Sequence, residues 1–231
     1  PNSSCRSCVS ILKHRRKETI VADVLREIPG PLGPLECLLD SPRDTPRAVV
    51  VFAHPLPTEG GTMHTKVVFQ SAKALARIGC VVLRFNFRGV GRSAGAWDNG
   101  IGEQDDYRAA LDYMANTYPG LPIWSAGFSF GSFIAMTTGA TDPRVCALIG
   151  IAPPVDKYDF SVVTQCTKPK FIVHGEEDEL IALKTVRQFY AGLPEPREFV
   201  QVDRANHLFD GQASEVGDAL EELLADFSCQ P

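Results

Sequence analysis

The chain has 231 residues, 44% of them hydrophobic and 22% charged, and carries a net charge of −5. That is the composition of a soluble globular protein large enough to bury a substantial core, and its acidic balance argues against nucleic acid or an anionic membrane as the main partner. No apolar run is long enough to cross a bilayer, so no membrane span is expected.

Residues 1–18 are polar and basic and close on Lys13-His14-Arg15-Arg16-Lys17. The charges follow the short apolar run Val9 to Leu12, the reverse of a secretory signal, so a solvated flexible arm is expected. The seven cysteines are odd in number and follow no disulfide framework. They are read as reduced thiols of a cytoplasmic protein, and Cys5-x-x-Cys8 lacks two further ligands for zinc.

Thr19 to Ile28 and Leu35 to Leu39 flank the turn Pro29-Gly30-Pro31-Leu32-Gly33-Pro34. This reads as an antiparallel hairpin at a sheet edge. Ala48 to Ala53 is a continuous apolar run, a strand buried on both faces. It leads through His54-Pro55-Leu56-Pro57 and Gly60-Gly61 to Thr62, the expected cap of a helix that Gly79 ends. Cys80 to Phe87 is the next strand, Arg88 to Gly95 a glycine-rich loop, and Glu103 to Tyr118 a helix with acids in its first turn. A strand follows from Leu121 and a helix over Ser132 to Gly139. Then come a strand at Val145 to Ala152, a strand at Lys170 to Val173, a helix at Ile181 to Leu193, a strand at Glu198 to Val202 and a helix at Glu215 to Phe227. Alternating strands and helices predict one α/β domain over residues 19–231, with a mostly parallel twisted sheet and helices on both faces.

Between the Leu121 strand and the Ser132 helix stands Gly127-Phe128-Ser129-Phe130-Gly131. A Gly-x-Ser-x-Gly at a strand-to-helix turn exposes the serine hydroxyl above the sheet, the arrangement of a nucleophile. Such a serine needs a base, and the base an orienting acid, both past later strands in the order Ser, acid, His. His207 follows the last strand and is the candidate base. Asp178 stands far enough beyond the Lys170 strand to turn back over the sheet, and is preferred to Glu176, Glu177, Glu179 and Asp203. The oxyanion needs two amide donors. One is Phe130 N–H; in His54-Pro55-Leu56-Pro57 the prolines have no N–H to give, which leaves Leu56. Arg84, Arg88, Glu103, Asp105 and Asp106 are expected to form a buried ion-pair network beneath the site. The Gly89-x-Gly91-x-x-x-Gly95 loop has the wrong spacing for a dinucleotide. No metal or cofactor is expected.

With these residues in place, the chain resembles the α/β-hydrolase superfamily over about Thr19 to Phe227. It is most similar to small bacterial hydrolases akin to dienelactone hydrolases, through Gly60 to Met63, Arg84 to Ser93, Gly100 to Glu103 and Gly127 to Gly131. The resemblance implies Ser129 as nucleophile, Asp178 as acid, His207 as base and the amides of Leu56 and Phe130 as the oxyanion hole. Leu56 stands where that group often has histidine, and Ser129 where dienelactone hydrolases carry cysteine, so their substrate is not implied.

Lid domains of this superfamily usually follow the strand after the elbow helix, where only Asp156 to Pro169 is available here. An open site without a cap is expected, with His54, Phe128, Tyr158, Phe160 and Leu208 as candidate pocket residues. The expected function is a serine esterase acting on a small carboxylic ester. A thioesterase, lactonase or small peptidase would use the same three side chains, and a non-catalytic binding protein on a hydrolase scaffold is the reading of another class.

Overall fold

A computed structural model describes residues 21–23 and 27–229. The expected arm, with Cys5 and Cys8, lies outside them. Three strands open the fold: β1 (Val21–Asp23), β2 (Glu27–Gly30) and β3 (Gly33–Ser41). Both β1 and β2 pair antiparallel with β3, so the first limb of the expected hairpin is two strands rather than one. Next come β4 (Ala48–Ala53), α1 (Lys66–Arg77), β5 (Cys80–Phe85), α2 (Gly102–Thr117), β6 (Ile123–Phe128) and α3 (Phe130–Thr141). The last elements are β7 (Val145–Ile151), α4 (Ser161–Thr164), β8 (Lys170–Gly175), α5 (Leu183–Gly192), β9 (Arg197–Val202) and α6 (Ala213–Leu224).

The sheet runs β1-β3-β5-β4-β6-β7-β8-β9, with β2 beside β3. From β5 to β9 every neighbouring pair is parallel, while β3 meets β5 antiparallel. Strand period two divides the core. On β4, Val49, Val51 and Ala53 enter the layer with α2, α3 and α5, whereas Ala48, Val50 and Phe52 enter the layer with α1 and α6. Both faces of the central strands are therefore apolar, which is why they read as unbroken hydrophobic runs. Between β7 and β8 stands only the four-residue α4, and among the described residues no cap covers the sheet. Among the described residues no helix is long and apolar enough to cross a membrane.

Two expectations are corrected. Thr62 does not cap α1; Thr65 N–H donates to Thr62 O at 3.0 Å, and this turn delays the helix to Lys66. Nor are all the cysteines thiols. Cys146, at the start of β7, is bonded to Cys229, 83 residues later, with Cα atoms 6.0 Å apart. Cys37, Cys80 and Cys166 are free.

Candidate active site

The parallel strands deliver their carboxyl ends to one edge of the sheet, where the loops after β4, β6, β8 and β9 meet. Ser129 joins β6 to α3 at φ 50° and ψ −123°, a backbone conformation that costs a non-glycine residue of order 1–3 kcal/mol. Its surroundings hold it there. Ser129 N–H donates to Ile151 O on β7 (2.8 Å), and Ser129 O accepts from the Ser132 amide (2.8 Å) and hydroxyl (2.6 Å). The flanking glycines are a matter of space. A Cβ on Gly127 would strike the carbonyl of Gly131, and one on Gly131 would strike the carbonyls of Ala53 and His54.

His207 lies in the loop after β9 and Asp178 in the loop after β8. The two loops are tied together. Glu176 N–H donates to Val202 O, Glu177 N–H to Ala205 O and Arg204 N–H to the Glu176 carboxylate. Gly175 allows the approach, since a Cβ there would meet the Ala205 carbonyl. In consequence Ser129 Oγ is 2.9 Å from His207 Nε2, and His207 Nδ1 is 2.8 Å from Asp178 Oδ2. His207 N–H also donates to Glu179 Oε2 at 3.1 Å, a contact the sequence reading did not anticipate. The second Asp178 oxygen accepts the Leu180 and Ile181 amides at 2.9 and 2.8 Å. Burial pushes the Asp178 carboxyl upward. The His207 hydrogen bond and charge, the Ile181 amide and His174 outweigh it, and leave the group below the usual carboxylate range. His207 Nδ1 therefore faces an ionised carboxylate.

Among the described residues, the amides of Leu56 and Phe130 donate to no protein acceptor. Phe130 opens α3, so its N–H is one of the four that a helix leaves unpaired, at the positive end of the dipole. Leu56 is held by its carbonyl, which accepts from Glu59 and Gly61.

The pocket candidates divide. His54 is corrected: it is fully buried, accepts Phe87 N–H on Nε2 (3.1 Å) and holds Pro55 O through Nδ1 (2.7 Å), so it shapes the Leu56 loop from inside. Phe128 is also buried, its ring 5.7 Å from that of His207, and packs behind that imidazole rather than lining a pocket. Phe160 is 4% exposed and packs edge-on against Phe133 and Phe189. Tyr158 is half-buried and stacks on Phe133 at 4.5 Å, while Leu208 is 52% exposed beside His207. Trp97, edge-on to Phe130 at 5.1 Å, joins this apolar rim without having been singled out from sequence.

The expected ion-pair network is split in two: Arg84 pairs apart from Arg88, and Arg88 meets both Asp106 and, at 3.8 Å, Asp98. Arg84 binds Asp40 on β3 at 2.6 Å, and Arg88 grips Asp106 with two nitrogens. Asp105 pairs outside with Arg108, and Glu103 accepts the amides of Asp98 and Gly100. Among the described residues no group of three or more His, Cys, Asp or Glu side chains is gathered as metal ligands.

A family model described as "Serine aminopeptidase, S33" matches residues 44–161. A solved α/β serine hydrolase homologue from Coxiella burnetii is 38% identical, with a TM-score of 0.83 over 90% of this chain and 100% of that one. A Xanthomonas campestris α/β serine hydrolase without a lid is 35% identical, with a TM-score of 0.80 over 88% of this chain and 92% of that one. A monoacylglycerol lipase of Mycolicibacterium smegmatis is 31% identical over 123 residues, 52% of this chain and 42% of that protein.

Proposed function

The chain belongs to the serine aminopeptidase S33 family of α/β hydrolases, and on that premise we propose that it is a serine esterase cleaving small carboxylic esters through an acyl-enzyme. The observation that carries the reading is the relay from Asp178 through His207 to Ser129 Oγ, with contacts of 2.8 and 2.9 Å.

In the first half-reaction His207 Nε2 takes the Ser129 hydroxyl proton as Oγ bonds to the acyl carbon. The negative charge that develops on the former carbonyl oxygen is met by the Leu56 and Phe130 amides. The tetrahedral adduct then breaks its carbon–oxygen bond, and the His207 proton leaves on the alcohol. In the second half-reaction His207 takes a proton from water as the water oxygen attacks the acyl carbon. The proton returns to Ser129 Oγ as the carboxylic acid departs. Asp178 stays ionised throughout, stabilising the imidazolium and holding its tautomer.

The family label names a peptidase. An aminopeptidase must hold the α-ammonium group of its substrate, and the acid nearest Ser129, Asp178, is buried and committed to the His207 ring. A bare apolar rim of Tyr158 and Leu208 suits the acyl group of a small ester better, and the absence of a cap leaves the acyl-enzyme open to water. The lipase relative, an ester hydrolase by name, supports the same choice.

Nitrophenyl esters from acetate to octanoate, run beside amino-acid nitroanilides and the S129A variant, test the reading. Turnover of the short esters that disappears in S129A is expected; nitroanilide cleavage without ester cleavage would overturn it. We also read the enzyme as cytoplasmic. The free thiols of Cys37, Cys80 and Cys166 support that location and the Cys146–Cys229 bond opposes it. Alkylation trapping in cells decides the matter: reduced Cys146 and Cys229 fit the cytoplasm, and an oxidised pair does not.

A further inference from the structure

The site contains a second imidazole that no step above uses. His174 is the penultimate residue of β8, paired with Gln201 of β9, and is fully buried. Its Nε2 lies 2.9 Å from Ile181 O and 3.7 Å from Asp178 Oδ2, while its Nδ1 has no hydrogen-bond partner. The tautomer follows. A proton on Nδ1 would be buried with nothing to accept it, so the proton sits on Nε2 and is donated to the Ile181 carbonyl. Burial pushes the ring below the ordinary histidine value, against the Asp178 charge and the Ile181 carbonyl and with the help of the His207 charge.

The Asp178 carboxylate reaches His207 with Oδ2 only because Oδ1 is occupied by the amides of Leu180 and Ile181. Those amides belong to the short turn after β8. Its far end is fixed by the Ile181 carbonyl, and His174 is the donor to that carbonyl. The chain of contacts is therefore closed: a side chain on a rigid central strand holds the turn, the turn holds one carboxylate oxygen, and the other oxygen aims at His207 Nδ1. The same nitrogen also lies 3.7 Å from Asp178 Oδ2.

We propose that His174 is a positioning residue for the acid, its Nε2–H bracing the Ile181 carbonyl so that the residue 178–181 turn presents Asp178 Oδ2 to His207. The inference rests on the relay proposed above and goes beyond it. His174 reaches neither hydroxyl nor substrate and acts through Asp178.

The test uses H174L, H174Q and H174N, read by turnover of a short nitrophenyl ester and by the rate at which a fluorophosphonate labels Ser129. Displacing a reacting group by an ångström costs about 100-fold. H174L is therefore expected to lose about 10- to 100-fold in kcat, with KM within about threefold. A glutamine amide lies near the Nε2 position and restores most of the rate, whereas an asparagine amide falls near Nδ1 and does not. Residues that act through one another are non-additive. In a D178N background H174L should thus cost less than about twofold more. An equal loss in both backgrounds would show a general structural role and overturn the proposal. So would a wild-type rate in H174L or, should H174L not fold, equal rates in H174Q and H174N. Wild-type protein that neither turns over esters nor is labelled overturns the relay and this inference with it. A labelled wild type, an unlabelled S129A and an unimpaired H174L overturn this inference alone.

Discussion

His207 Nδ1 and Asp178 Oδ2 stand 2.8 Å apart, and this contact decides which imidazole nitrogen faces Ser129. With the proton kept on Nδ1 by its hydrogen bond to the carboxylate, Nε2 presents a lone pair to the hydroxyl. The side-chain amide introduced by D178N keeps the shape but can turn its NH₂ toward Nδ1, which reverses the tautomer. D178N is expected to lower kcat by about 10³–10⁴ with little change in KM. The Asp178 carboxyl is held below its usual range, so its ionised form also stabilises the fold. That stability is present above the unfolded-state value of 3.8 and is lost as pH falls through the lower folded value. Steady-state kinetics on D178N and acid-unfolding curves beside the wild type measure the two effects; a fully active D178N would remove Asp178 from the relay.

The buried His54 imidazole predicts a second pH dependence. Burial lowers it to about 4 from the ordinary 6.5, against the favourable bond to the Pro55 carbonyl. Between those values the unfolded chain binds the proton and the native state does not, so stability falls as pH falls across the window. From pH 7.5 to 5 the loss is about 2 kcal/mol. Urea unfolding at several pH values should show this slope in the wild type relative to H54Q. A stability difference between the two that stays constant with pH would mean that His54 binds its proton as readily in the native state as in the unfolded chain.

The Cys146–Cys229 bond joins the amino end of β7 to the segment after α6, at the edge of the sheet opposite Ser129. Closing a loop of this sequence separation is worth about 4.5 kcal/mol of chain entropy. The loss on reduction should be smaller, because the same segment is held by other contacts. Arg47 donates to the carbonyls of Leu224 and Phe227 at 2.6 Å, and the Phe227 ring packs on Trp124 and Phe171. Reduction, or C146S with C229S, is expected to lower Tm by up to roughly 10 °C. Ester turnover at 25 °C should be unchanged. Calorimetry with and without reductant provides the measurement, and a Tm indifferent to reductant would show the bond to be absent in solution.

The features readable in the sequence were those written over contiguous residues. The β4 strand was delimited to the residue because both of its faces are buried and Ala48 to Ala53 is apolar without a break. The elbow turn was readable because Gly127 and Gly131 are the residues that its close contacts require. Chain order also ranked the histidines, and the structure brings His207 rather than His174 to Ser129. What escaped was set by contacts between distant segments. Nothing near Arg84 in sequence signals Asp40 on β3, and nothing near Cys146 signals Cys229. His54 looked like a pocket residue because it ends a strand on the site side. Its ring instead turns inward, to the Phe87 amide and the Pro55 carbonyl.

The Leu56 amide can be tested by deleting it. Proline at this position removes the N–H and part of a side chain that packs against the core, and L56A controls for the second loss. Leu56 already has φ −51°, within the range of a proline ring, and its ψ of 120° suits the Pro57 that follows. Its carbonyl, which accepts from Glu59 and Gly61, is untouched. Loss of one oxyanion donor costs about 10²–10³ in kcat. L56P should show that loss with KM near the wild-type value and an unfolding midpoint close to that of L56A, whereas L56A, which keeps the N–H, should stay within about tenfold in kcat. Crystallography of L56P with a phosphonate on Ser129 would locate the phosphoryl oxygen. If kcat in L56P matches that in L56A, the second donor is another group and the Leu56 loop serves only to shape the rim.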